Sequence, residues 1–193
     1  GKITLIDHDV VEETNLQRQI LYTSEDLGLY KADVACKRLK VLNPDINVQG
    51  YNIRFTNDSI HLMKDVDVII DATDNFESRS LINKISLLLK KPLVMGAAIK
   101  MQGQVAVFRN DLCDMPCYNC LYDDIEDEAS SCIDSGVLST LTGIIGSLQA
   151  TEAIKTLIGF GESLESKLLL VDLKHMSFRT VKIVKDNKCK ICN

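Results

Sequence analysis

A chain of 193 residues, 46% of them hydrophobic, is long enough to bury one substantial core and too short for two independent domains of ordinary size. Its formal net charge of -5 argues against nucleic acid or an anionic membrane as a general partner, because both repel an acidic surface. Seven cysteines, an odd number, with no signal-peptide pattern at the start, argue against an extracellular disulfide framework and point to a reducing cytoplasm.

The chain opens at Gly1 with Lys2-Ile3-Thr4-Leu5-Ile6-Asp7, a strand already in progress with no turn or N-cap before it, so an upstream segment is expected. Asp7 ends that strand. In a nucleotide-binding α/β fold an acid at a strand tip accepts hydrogen bonds from ribose hydroxyls, whereas an Asp after a strand serves equally as a turn or helix cap. Asn15-Leu16-Gln17-Arg18-Gln19 packs three amides and a guanidinium into five residues with little helix-packing logic, and arginine matches phosphate geometry bidentately. Lys31 stands at a helix start, where the macrodipole disfavours a cation unless it serves an anion; the alternative is an ordinary solvent-facing lysine. From there Ala32, Ala35, Cys36, Leu39 and Leu42 recur at helical spacing, predicting an amphipathic helix over Lys31 to Leu42.

Further strands are expected at Val48 to Ile53, Val66 to Asp71 and Leu93 to Ala97, with a helix over Phe76 to Leu89 stopped by Pro92. This β-α-β alternation predicts a largely parallel sheet. Asp71-Ala72-Thr73-Asp74-Asn75 then lies at the carboxyl edge of a buried strand, where open α/β sheets hold their ligands. A carboxylate there suits Mg²⁺ bound through water and phosphates; alternatively Asp74 or Asn75 caps the following helix.

Later segments change character. Gln104 to Arg109, Leu168 to Leu173 and Ser177 to Val184 read as antiparallel strands extending the sheet, with Lys174-His175-Met176 a turn. The acidic run Asp123 to Glu128 is either a solvated loop or a crossover loop over a site. Val137 to Ala150 is too short and too interrupted by Gly143, Gly146 and Gln149 to span a bilayer, and reads as part of a buried helix reaching Ile158. Its apolar residues on more than one face, with two glycines permitting close approach, predict a homodimer.

Cys117-Tyr118-Asn119-Cys120 and Cys189-Lys190-Ile191-Cys192 are the strongest local signal. Two C-x-x-C hairpins can set four thiolates at the corners of a tetrahedron, which suits Zn²⁺, whereas redox use needs only one such pair. The metal would clip an internal loop to the C-terminal tail.

Taken together, Asp7-His8-Asp9, Asn15 to Gln19, Gly28 to Ala32, Asn43-Pro44, Thr73-Asp74-Asn75, Gly96-Ala97-Ala98, the paired C-x-x-C motifs and Gly143-Ile144-Ile145-Gly146-Ser147-Leu148-Gln149-Ala150 with Glu152 to Lys155 resemble the MoeB/ThiF/HesA family in order and spacing, from end to end of the chain. The resemblance implies a single ThiF-type adenylation domain over residues 1–193 with a Rossmann-like α/β fold, truncated at its N-terminus. It implies an adenylyltransferase that uses ATP and Mg²⁺ to activate the C-terminal Gly-Gly carboxylate of a ubiquitin-like sulfur carrier of molybdopterin or thiamine synthesis. Asp7 is then the ribose ligand; Asn15, Gln17, Arg18 and Lys31 serve nucleotide and phosphates, Arg18 reaching toward the other subunit of a homodimer; Asp74 and Asn75 serve Mg²⁺. Cys132 matches the family position that forms a thioester or persulfide with the carrier, and reads equally as a structural thiol. The family's first strand and Gly-rich phosphate turn do not appear in this sequence, so an inactive, zinc-stabilised docking partner is the competing expectation. An NAD-linked enzyme would also use Asp7, but would have no use for Arg18, Lys31 or the paired cysteines.

Overall fold

The computed structural model describes residues 1–122 and 136–193. The chain divides into two compact units, Gly1–Leu62 and Met63–Asn193.

In the first unit β1 (Lys2–Ile6) pairs in parallel with β2 (Asn47–Tyr51), in register from Lys2 opposite Asn47 to Ile6 opposite Tyr51. The crossover between them carries α1 (Glu13–Leu16), a 3₁₀ turn at Ser24–Asp26, and α2 (Lys31–Leu42). The latter packs on β2, and Gly50 is what lets it lie close: a methyl at that position would come within 2.8 Å of Cys36 Sγ and 3.0 Å of the Ala32 carbonyl oxygen. Burial on α2 is concentrated at Lys31, Ala32, Val34 and Ala35. Leu42, expected on the inner face, is 75% exposed.

The second unit is a five-stranded sheet in the order β3 (Ile69–Asp71), β4 (Leu93–Ile99), β5 (Gln102–Phe108), β6 (Lys167–Asp172), β7 (Ser177–Lys182). The helix α3 (Phe76–Leu89) makes β3 and β4 a parallel β-α-β pair, and the other three pairings are antiparallel. The α/β class and the antiparallel extension are thus as expected, and in this unit the extension is the larger part of the sheet. Between β5 and β6 the described residues form the short α4 (Tyr118–Leu121) and the long α5 (Ser139–Ile158).

One face of α5 covers β4 and β5. Leu141 and Ile145 pack with Val105 and Val171, and Ala153 packs with Val94 and Val107, all of them buried. Burying an aliphatic side chain of the Val, Leu or Ile size contributes about 1.5–3 kcal/mol, so this seam adds several kcal/mol to the unit's stability. Two polar residues share that face. Gln149 donates to the carbonyls of Asp71 at 2.7 Å and Val94 at 3.4 Å. Glu152 accepts from Lys155 Nζ at 2.7 Å and from the Leu164 amide at 2.7 Å, closing the loop that leads into β6. Neither buried group is left without a partner, as burial of polar atoms requires.

Candidate functional site

The carboxyl end of β1 runs into a turn built by its own carboxylates. Asp7 Oδ1 accepts from the Asp9 amide at 2.9 Å, and the Asp7 amide donates to the Tyr51 carbonyl at 3.1 Å. Asp7 is therefore a turn former here, half-buried, whatever else it binds. Lys31, at the first position of α2, turns inward: its side chain is 9% exposed, and Nζ donates to Asp9 Oδ2 at 2.8 Å. That hydrogen bond, foremost among the causes, holds the Asp9 carboxyl below the ordinary carboxylate range. The anion that a lysine at a helix start calls for is thus supplied by an exposed carboxylate. The potential ligand atoms of Asp7, His8 and Asp9 lie within 4.8 Å of one another, but with Asp9 paired to Lys31 and Asp7 bonded to the Asp9 amide the cluster is a hydrogen-bonded turn.

The amide-rich segment folds as α1 and its exit. Asn15 is buried, with Oδ1 accepting from the Glu12 amide at 3.1 Å to close the helix start. Arg18 Nη1 donates to the Thr14 carbonyl at 2.8 Å, and Gln17 is exposed. The buried Oε1 of Gln19 has no hydrogen-bond partner among the described residues.

The loop from β3 to α3 is held chiefly through Thr73 and Asn75. Asp71 is fully buried; its Oδ1 accepts from the Thr73 amide at 2.9 Å and the Thr73 hydroxyl at 2.7 Å, while Oδ2 has no partner. Burial pushes its carboxyl up, against the pull of the Thr73 hydrogen bonds and the Arg79 charge. Arg79 clasps the Thr73 carbonyl with Nη2 at 2.7 Å and Nε at 3.3 Å. Asn75 caps α3, its Oδ1 accepting from the Ser78 amide at 2.8 Å. Of the two capping candidates it is Asn75 that caps, and Asp74 is left exposed. An exposed carboxylate on a braced loop at a strand's carboxyl end has the donor chemistry of a Mg²⁺ ligand, a hard oxygen that leaves room for water and phosphate.

Sequence reasoning singled out Asp74 and Asn75 but not the groups that brace them. Arg79 was not singled out, and Gln149 read as a polar interruption of an apolar stretch. The available signal was Arg79 itself, a cation in the first turn of a helix, where the dipole penalises it unless a specific partner compensates.

The four cysteines come together. Cys117 Sγ lies 3.8 Å from Cys189 Sγ and 4.0 Å from Cys120 Sγ, and Cys120 Sγ lies 3.5 Å from Cys192 Sγ. All four sulfurs fall within 4.8 Å of one another. A disulfide bond is about 2.05 Å long, far below any of these separations. A zinc ion with four sulfurs at about 2.3 Å sets them about 3.8 Å apart along the edges of the tetrahedron, so the donor set and its spacing fit zinc. Cys117 is the N-cap residue of α4, and Cys120 donates its amide back to the Cys117 carbonyl at 3.0 Å, so one short helix presents two ligands. Cys132 and the acidic run 123–128 lie outside the described residues.

The comparisons with known proteins bear on the same segments. The sequence model of the ThiF family matches residues 1–192. The sulfur carrier protein adenylyltransferase of Thermus thermophilus is 41% identical over 198 residues, covering all of this chain and 73% of its own length. The adenylyltransferase and sulfurtransferase MOCS3 of Culex quinquefasciatus is 40% identical over 197 residues, again covering all of this chain but 44% of itself. The SAMP-activating enzyme E1 of Haloferax volcanii is 37% identical, with 100% and 71% coverage. This chain therefore spans about three quarters of some relatives and less than half of others. Among solved structures, Escherichia coli MccB crystallised with ATP superposes with a TM-score of 0.84 at 22% identity, over the whole of this chain and 59% of MccB, a likeness of fold. The order of motifs, the braced loop after β3, the clustered thiols and a family match running almost end to end agree: the chain belongs to the ThiF family and carries its adenylyltransferase domain.

Proposed function

We propose that this protein adenylates the C-terminal Gly-Gly carboxylate of a ubiquitin-like sulfur carrier, of the kind that serves molybdopterin or thiamine synthesis, in the cytoplasm. The observation that carries this reading is the loop Thr73-Asp74-Asn75, whose flanking groups are consumed in fixing the backbone while the exposed Asp74 carboxylate receives only one long contact, from Asn75 Nδ2 to its Oδ1 at 3.4 Å. The names of the relatives at 41% and 37% identity supply the substrate class. No helix among the described residues is long and apolar enough to cross a membrane.

In the reaction a carrier carboxylate oxygen attacks the α-phosphorus of ATP, the bond from that phosphorus to the bridging oxygen breaks, and pyrophosphate leaves with the electron pair. The protein's work is positioning and charge neutralisation. Asp74, with Asn75 beside it, would hold Mg²⁺, which when bound would offset the charge of the phosphates. Asp7 receives the ribose hydroxyls, and Asn15 and Gln17 orient the nucleotide. Arg18 and Lys31 meet the phosphates, with Lys31 exchanging its Asp9 partner for a phosphate oxygen. Both compact units serve as one adenylation domain, consistent with a family match over residues 1–192.

Two such chains form the working enzyme. Gly143 and Gly146 have nothing within 4 Å of where a side chain would begin, and Ile154, Leu157, Ile158 and Phe160 are each more than half exposed at the same end of the chain's longest helix. Close approach of a second α5 would cover this strip. Sedimentation of the full-length protein at micromolar concentration is expected to give a dimer, and a stable monomer would contradict it.

The test of the chemistry is the product. Full-length protein incubated with Mg-ATP and a carrier ending in Gly-Gly is expected to yield the carrier acyl-adenylate in an intact-mass measurement, and a carrier lacking the last glycine is expected to yield none. Carrier bound without any adenylate formed would establish instead a docking partner without the activity.

A further inference from the structure

The metal site and the Asp74 loop sit against opposite ends of one helical stripe. On α3, Phe76, Arg79, Asn83 and Ser86 follow one another at spacings of three and four, so they share a face. Phe76 stacks edge-on with Tyr122 at 6.2 Å between ring centres, and Tyr122 lies 4.8 Å from Tyr118. Asn83 has no exposed surface and engages its whole amide: Oδ1 accepts from the Tyr118 backbone amide at 3.3 Å and from Asn110 Nδ2 at 3.1 Å, and Nδ2 donates to Asn119 Oδ1 at 2.9 Å. Asn110 also reaches Ser86 Oγ at 2.9 Å. Tyr118 and Asn119 are the two residues between the metal ligands Cys117 and Cys120. One turn back from Asn83, Arg79 holds the carbonyl of Thr73, next to Asp74.

A wholly buried asparagine is costly unless its bonds have a use. Here it nails the C-x-x-C turn to the helix that begins at the Asp74 loop. We propose that Asn83 is a positioning residue linking the four-cysteine site to the Thr73–Asn75 loop, so that metal at Cys117, Cys120, Cys189 and Cys192 orders the loop that presents Asp74. With the thiols bound to one ion, α4 is fixed, and Asn83 together with the Tyr122 and Phe76 rings fixes the first two turns of α3. With the thiols unbound, α4 is a single turn held by Asn83 and the ring contacts without the metal clip, and one turn has little stability of its own.

The inference concerns metal and backbone, and its readouts are independent of whether the protein adenylates anything. In full-length zinc-loaded protein, transfer of zinc to a chromophoric chelator is expected to be about tenfold faster for Asn83→Ala, the usual scale for loss of a group that orients a metal ligand. Stripping zinc from the unsubstituted protein is expected to raise amide hydrogen exchange across residues 73–78. The same stripping is expected to add little in Asn83→Ala, where the link is already cut. That non-additivity is the reading that a merely stabilising asparagine would not produce. Asn119→Ala, which removes only the acceptor of Asn83 Nδ2, gives the same pair of measurements if Asn83→Ala does not fold. Zinc transfer at the unsubstituted rate, or stripping that opens residues 117–122 and 189–193 while leaving 73–78 unchanged, would overturn the proposal.

Discussion

At the scale of single residues, Asp71 is the most expensive group in the second unit. Its carboxyl is buried with one oxygen unpartnered, and burial raises its pKa. A carboxyl whose folded pKa lies above the unfolded value of about 3.9 contributes stability that is fully present below that value and is lost as pH rises through the folded pKa. Asp71→Asn keeps the acceptor for the Thr73 amide and hydroxyl and removes the titration. It is expected to leave the unfolding temperature nearly unchanged at pH 4, to raise it increasingly as pH rises, and to gain about 1–3 kcal/mol at pH 8, the scale of an unsatisfied buried polar group. A destabilised variant at pH 8 would show that Oδ2 has a partner in solution. Natural proteins tolerate such strain mainly beside functional sites, and Asp71 supports the loop that carries Asp74. Buried Lys31 makes a contrast: its partner Asp9 is 52% exposed, so the pair is solvent-screened and adds little to stability.

At the scale of elements, packing of α5 against β4 depends on a missing side chain. A methyl at Gly96 would collide with the side-chain amide of Gln149, which is committed to the Asp71 and Val94 carbonyls. Gly96→Ala is expected to cost about 1–3 kcal/mol in denaturant unfolding, as overpacking does, and an effect below that range would mean Gln149 can move without loss. Much of this architecture was legible beforehand. Helices α2 and α3 begin and end where their periodicity and Pro92 place them, since Asn75 and Pro92 are strong local punctuation. Strand β3 is only Ile69–Asp71, although apolar sequence starts at Val66, because its partner begins at Leu93 and offers nothing to pair with earlier residues. The turn from β4 to β5 was invisible for a different reason. Lys100 adopts a positive φ of 52° where glycine is usual, held by backbone bonds to Gly136 at 3.0 Å and Leu138 at 2.8 Å that no local pattern announces. The site divides the same way: cysteines, Asp74 and Lys31 stand out by type and spacing, whereas Asn83 and Asn110 matter only through distant partners.

At the scale of the whole molecule, the proposed adenylation has Asp74 and Arg18 meet the phosphates in the transition state. The most direct measurement is exchange of labelled pyrophosphate into ATP by the full-length protein, with Mg²⁺ and a carrier ending in Gly-Gly. Exchange is expected to depend on the carrier, and Asp74→Ala and Arg18→Ala are each expected to slow it by about two orders of magnitude or more, the scale of removing a group that neutralises developing charge. Exchange that survives the loss of both residues would contradict the assignment.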